Sequence, residues 1–398
     1  MRTSEWRDPD GADERDELRS RLCGALPTVR EHRARVDRDG VFPSESVQAL
    51  RSAGLLSAPC APGSSMPSAE LMTLAIRESS GTCGSTGLVL TMHLSILCSL
   101  LEVVDASSPV EALLRGDRER GAPLIAGITS EVGATSIRES VAACETTATG
   151  TIRVRKRTHT ASYVEHADLV VITARRTPSA LPTEQVLVVA TREDIEVRAE
   201  GEWDALGMRG TETIPAEVVC EVPPEQVIDR SFSELLSRSV GPYIQLAWAA
   251  CWEGIAQDAA AVATEFVRAH ASTFSPDLAA LRSVRLGDLH RKLGTVAALT
   301  SEFERELDRT RTRRLAAPWP FGFADLTRRS TELRLTVSQL AVEVALEALE
   351  VIGVAGYLSE DRTPYAVGRQ IRDLLSARVM VHPDGLRLSA GELAFVPR

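Results

Sequence analysis

The chain has 398 residues, 44% of them hydrophobic, and a formal net charge of −10 at pH 7. That length allows a large buried core and favours two or three domains. The acidic balance and the lack of clustered Lys and Arg exclude a nucleic-acid surface.

The first segment, Met1 to Arg21, is densely charged and has no apolar core of the kind a secretory leader carries. Seven cysteines (Cys23, Cys60, Cys83, Cys98, Cys144, Cys220, Cys251) are scattered and never spaced as Cys-x-x-Cys. Reduced thiols packed as small apolar residues in a cytoplasm fit this usage better than disulfides or a zinc site, so a cytoplasmic protein without a metal is expected.

Residues 13 to 55 read as helices. Leu18, Leu22, Leu26 and Val29 recur at spacings of three and four, and Val47, Leu50 and Leu55 follow the start signal Pro43-Ser44-Glu45. A Pro/Gly/Ser-rich loop, Ala58 to Ser68, interrupts the pattern. Helix resumes through Leu71, Leu74, Ala75 and Glu78. The most apolar run, Gly87 to Val104, contains His93 and is bounded by Glu102 and Asp105, which predicts a buried helix and not a membrane span.

From Ile125 to Val222 the chain turns β-rich. The runs 168–174 and 185–190 carry β-branched residues between charged or Pro-containing segments, as strands do. After Pro223-Pro224 helices return with three apolar stripes. Leu246, Ala249, Ala250, Gly254 and Ala261 form a small-residue face; Leu281, Val284, Leu286, Leu289 and Leu293 form the second; Leu333, Val337, Leu340, Val344 and Ala348 form the third. The expected fold is α+β and mostly α: an N-terminal helical domain (13–121), a small central β-domain (122–229) and a C-terminal helical bundle (230–398). The crevice between sheet and bundle is the default ligand site.

Five segments carry a resemblance. Trp203-Asp204-Ala205-Leu206-Gly207-Met208-Arg209-Gly210-Thr211 is similar to the W-x-x-L-G-x-R-x-T segment that ends the sheet of the acyl-CoA dehydrogenase family. Ser130 to Ile137 resembles its T-E-P-x-x-G-S-D loop, and Lys156 to Thr160 with Ala167-Asp168 its G-x-K-x-x-x-T…A-D segment. Gly353 to Tyr357 and Arg369 to Asp373 resemble G-G-x-G-Y and R-x-x-R-D. The order along the chain is also the family's.

The resemblance implies FAD at the sheet–bundle crevice, held partly by a second subunit. Backbone groups of Ile128-Thr129-Ser130 suit the pyrimidine edge of a flavin, and Ser130, Thr135, Ser136 and Thr160 add hydroxyl donors. His159 lies within the strand expected along the flavin ring. At the nucleotide's other end stand Arg268, Phe274, Glu350, Gly353 and Val354. The family's R-x-x-F-G stretch reads His270-Ala271-Ser272-Thr273-Phe274-Ser275 here, so either Arg268 reaches the pyrophosphate from one turn earlier or FAD is bound more weakly. Trp203 and His93 read as core residues.

The family's catalytic Glu is replaced by Val381, and the alternative base position on the helix after the sheet by Ile244 and Gln245. Abstraction of a weakly acidic C–H needs a positioned base, and His382 is the nearest titratable residue. Three readings follow. One is an FAD-dependent oxidoreductase of secondary metabolism, acting on an acyl-CoA or carrier-protein-bound acyl group without the usual Glu. Another is a flavin-dependent monooxygenase of the same fold, and the third a catalytically inactive relative that serves as a binding protein. A homodimer or homotetramer is expected, with the helix of Leu333, Val337 and Leu340 and the segment around Phe274 at the interface.

Overall fold

The computed structural model describes residues 9–60, 66–116, 121–314, 323–380 and 383–393. Helix α1 (Pro9–Asp39) buries Leu18, Leu22 and Val29 on one side. Helix α2 (Ser44–Ser52) starts directly after Pro43 and buries Val47 and Leu50. Ser68 caps α3 (Ala69–Thr82): its hydroxyl accepts from the Leu71 N–H at 3.3 Å, satisfying a donor that the first turn would leave without a partner. Helix α4 (Gly84–Leu101) is apolar enough by length and composition to cross a membrane, yet 89% of it is buried inside the protein, as a core helix is. A fifth helix, α5 (Pro109–Arg115), has Ser108 as its cap, Pro at its first position and Gly116 at φ 70 after its end.

The β-region holds two four-stranded sheets where the sequence indicated one small one. The first has the order β1 (Ile125–Ile128), β4 (Leu169–Arg175), β5 (Gln185–Thr191), β8 (Val227–Ile228), with β1 and β4 parallel. The second runs β2 (Glu145–Thr146), β3 (Ile152–Ser162), β7 (Thr213–Val222), β6 (Ile195–Ala199) and is antiparallel throughout. Strand β3 alternates, with Val154, Lys156 and Thr158 inward and three arginines outward. β4 and β5 are buried on both faces, which is why they read as unbroken apolar runs.

Behind the sheets come α6 (Phe232–Leu235), a π-turn at Leu236–Val240, α7 (Gly241–His270), α8 (Pro276–Arg314), α9 (Phe323–Ile352), α10 (Val354–Tyr357), α11 (Gly368–Leu375) and α12 (Pro383–Leu393). Leu246, Ala249, Ala250 and Gly254 are buried, and a Cβ on Gly254 would stand 2.2 Å from the Arg77 carbonyl, so the small-residue face does bring α3 and α7 together. Ala261 is exposed and does not share that face.

Two further expectations are corrected. On α8 Leu289 is fully buried, but Leu281 and Val284 are exposed. At 3.6 residues per turn Val284 is rotated roughly 140° away from Leu289, onto the far side of the helix. On α9 Leu333 and Val337 are buried within this chain, against α7, and so do not offer the oligomer face expected of them, while Leu340 is half-buried. One apolar cluster runs from Leu18 through both sheets to Ala377.

Candidate functional site

Three hydroxyls converge where β1 runs out beside β3. Ser130 Oγ lies 2.7 Å from Thr158 Oγ1 and 2.8 Å from Thr160 Oγ1. The backbone reason is a β-bulge: between Thr158 and Ala161 two residues of β3, His159 and Thr160, face one residue of β7. A bulge turns consecutive side chains outward, and His159 and Thr160 are both exposed. Ile128 is buried below them and Thr129 half-buried. Three rotatable hydroxyls that donate or accept, beside the end of an edge strand, fit the mixed donor–acceptor edge of a flavin ring. Thr158, absent from the expected set, joins it through its inward position opposite Ser130.

A buried ion pair fixes this loop. Lys156 Nζ donates to Thr173 O at 2.8 Å and Thr173 Oγ1 at 2.7 Å and stands 3.3 Å from Glu131 Oε2. Glu131 accepts from Ser140 Oγ, Val141 N and Ala142 N at 2.6, 3.1 and 2.5 Å. Burial pushes the Lys156 amine down to about 8, against the pull of the Glu131 carboxylate. The pair ties the loop 130–142 to both sheets. Thr135 and Ser136, expected as cofactor donors, sit on its exposed side: Thr135 donates to Glu139 at 2.7 Å, and Ser136 Oγ accepts from the Arg138 N–H at 3.2 Å. Arg138 reaches across to Ser233 of α6 at 2.9 Å, which places the loop beside the start of the bundle.

The remaining expected cofactor residues are at the other end of that bundle. From Gly241 to Arg268 along α7 is a rise of about 40 Å, farther than one extended flavin dinucleotide spans. Arg268 is exposed and paired with Glu265 at 2.8 Å. Phe274 instead carries the Arg282 guanidinium 4.0 Å above its ring. Glu350 is paired with Arg285 at 2.9 Å, Gly353 turns the chain at φ 78, and Val354 is 78% exposed. The structure brings together Ser130, His159 and Thr160, and separately Phe274, Glu350, Gly353 and Val354. Both groups can touch one flavin only if a second copy supplies one of them. His382 and Val381 lie outside the described residues.

The family-like motifs at 203–211 and 369–373 meet in space. Met208 N–H donates to Asp373 Oδ1 at 2.7 Å, and Arg372 pairs with Asp37 of α1 at 2.5 Å. A Cβ on Gly207 would stand 2.2 Å from the Arg372 carbonyl, so only glycine permits this contact. Burial raises the Asp373 carboxyl to about 6 while Arg369 opposes the shift. These motifs dock the β-region on α1 and α11. Trp203 is half-buried beside them with its indole N–H on Met208 O at 3.2 Å, the packing role expected of it. His93 is likewise a core residue, bonded to Leu56 O at 2.7 Å and to Ile125 N at 3.1 Å.

A buried cation lies beside Gln245 and Met380. Arg334 of α9 is 1% exposed; it donates to Gln245 Oε1 at 3.1 Å and to Met380 O at 2.5 Å, bridging the two stretches where a base was sought. Its guanidinium lies 3.9 Å over Trp248 and 4.8 Å over Trp252. Among the described residues no carboxylate pairs with it, and burial alone holds its pKa well below the ordinary arginine value. Cation–π contacts contribute about 2 kcal/mol when desolvated, against several kcal/mol for taking an ion out of water. Sequence reasoning missed Arg334 because it lies mid-helix in an apolar stripe, far in sequence from every motif.

Neither a protein-family model nor a curated protein sequence matches this chain. Solved structures do. FMN-bound TdsC from Paenibacillus sp. A11-2, a dibenzothiophene monooxygenase, aligns with a TM-score of 0.80 at 19% identity, over 96% of this chain and 97% of its own. KijD3 in complex with FMN and a dTDP-linked amino sugar gives a TM-score of 0.74 at 21% identity, over 96% and 95%. A nitrososynthase from Micromonospora carbonacea var. africana gives 0.69 at 20% identity, over 98% of each chain. With helices before and after a two-sheet β-region, and with neighbours of this kind along nearly its whole length, the chain has the acyl-CoA dehydrogenase fold of flavin enzymes.

Proposed function

We propose that the protein is a flavin-dependent monooxygenase, with the flavin ring at the Ser130–Thr158–Thr160 cluster and a small-molecule substrate between it and the Gln245–Arg334–Met380 wall. The observation that carries this reading is Arg334. A guanidinium cannot accept a proton, and it stands between the two stretches where a dehydrogenase of this fold keeps its base. Oxidation of an acyl-CoA or a carrier-bound acyl group needs that base; oxygen insertion does not. Bound in reduced form, the flavin supplies the two electrons that convert O2 to one inserted oxygen atom and water. Ser130, Thr158 and Thr160 orient the ring, and the Lys156–Glu131 pair keeps their loop in place.

FMN is the proposed cofactor. The position three residues before Phe274 is Ala271, and Glu350 carries a negative charge at the end where FAD would place its pyrophosphate. TdsC and KijD3, both FMN-bound, have the same overall fold. Titration of the purified protein with FMN and with FAD, followed by flavin fluorescence, should show tighter FMN binding, weakened about threefold to tenfold in Thr160→Ala for one lost hydrogen bond. Reduced flavin with the protein should then consume O2 in proportion to an oxygenated product. Oxidation of acyl-CoA under nitrogen with an artificial electron acceptor would overturn the reading.

A further inference from the structure

Three buried donors at the contact of α7 and α9 lack, among the described residues, an acceptor that matches them. Arg334 is a buried cation whose hydrogen-bond partners among the described residues are the neutral oxygens of Gln245 and Met380. The indole N–H groups of Trp248 and Trp252, the two rings on which it lies, are both buried without a hydrogen-bond partner. Trp252 and Arg334 are fully enclosed, whereas Gln245, Trp248 and Met380 are half-buried. By contrast, buried Arg369 pairs with Glu360, and half-buried Arg77 of α3 with Glu253 and Glu304. Arg334 departs from that pattern at the wall that faces the proposed substrate.

We infer that Arg334, with the indole N–H groups of Trp248 and Trp252, is the receptor for a carboxylate on the substrate. A guanidinium presents its donors as a planar fork that matches the two oxygens of a carboxylate, and the indoles add two donors and an aromatic wall for the carbon skeleton. Binding replaces the neutral carbonyl partners with a formal negative charge and neutralises the enclosed cation. The substrate class is therefore a small organic acid, anchored by its carboxylate at Arg334 while another part of it meets the flavin. The inference rests on the proposed placement of the substrate, but the receptor itself is a property of α7 and α9.

The test uses benzoate as the probe and benzamide, its uncharged isostere, as the control, each titrated into the full-length protein without flavin while tryptophan emission is followed. Benzoate should give a saturable change that benzamide does not. Arg334→Met, which keeps the volume and removes the charge, should weaken benzoate binding by roughly tenfold to hundredfold, the range for a lost charge-assisted pair. Its FMN titration should keep the wild-type midpoint. Trp252→Phe, which retains the cation and most of the packing, serves as a second variant and should weaken benzoate by roughly threefold or more. Equal responses to benzoate and benzamide, or benzoate affinity unchanged in both variants, would overturn the inference. So would loss of FMN binding in Arg334→Met with no benzoate effect in Trp252→Phe, because the charge would then belong to the flavin. A wild-type protein that binds benzoate but no flavin overturns the proposed function and leaves the receptor standing.

Discussion

Acid should loosen this fold through His93. In the neutral ring Nε2–H donates to Leu56 O at 2.7 Å and Nδ1 accepts from the Ile125 N–H at 3.1 Å, so α4 is tied both to the segment after α2 and to the start of β1. Burial pushes its pKa from 6.5 to about 4. A further proton would have to displace the Ile125 donor from a fully enclosed site. The unfolded chain takes up that proton near 6.5 and the folded chain only near 4, so the contribution is complete above pH 6.5 and is lost as pH falls toward 4. At about 1.36 kcal/mol per unit the difference is about 3 kcal/mol. With an unfolding entropy of about 2.1 cal/mol/K per residue, that corresponds to a thermal midpoint about 4 °C lower at pH 4 than at pH 7 from this group alone.

Other groups titrate over the same range, so the readout is the comparison with His93→Gln, whose amide can make both hydrogen bonds but takes up no proton. Thermal midpoints from near-ultraviolet circular dichroism, measured every half unit between pH 4 and 8, should fall less steeply for the variant. Parallel curves for the two proteins would refute the reasoning. An offset of the variant below the wild type at pH 7, by about 1 kcal/mol for imperfect hydrogen-bond geometry, leaves the slope unaffected.

Lys156→Met leaves the Glu131 carboxylate buried and unpaired, which should cost about 3–5 kcal/mol and raise amide hydrogen exchange across 130–142; the double variant with Glu131→Gln should recover most of the midpoint. Light scattering should give a dimer or larger, because Leu281 at 52%, Val284 at 71% and Tyr357 at 80% exposure leave apolar surface uncovered around the start of α8 and the end of α10. Val284→Glu should shift the mass toward the monomer, and a monomeric wild type at working concentration would remove the basis for that prediction.

The order of helical block, β-region and bundle was legible in the sequence because it rests on periodicity and on β-branched runs, both local properties. α2 begins after Pro43, and the expected strands at 168–174 and 185–190 are present to within a residue. Motif order also singled out Ser130 and Thr160, whose hydroxyls folding brings within 2.8 Å of each other. Which stripes faced inward was not. The spacing of Leu281 and Val284 matched a helix, but only packing against α7 and α9 determined that Leu289 and not Val284 met the core. Thr158 entered the hydroxyl cluster through a bulge set by the pairing of β3 with β7, a contact between residues more than fifty positions apart. The resemblance marked Val381, Ile244 and Gln245 as positions without a carboxylate, but gave no sign of the arginine that folding brings to Gln245 and Met380. Arg334 comes from a different helix, and folding encloses its charge against two tryptophans with no carboxylate partner among the described residues, a condition no local pattern records.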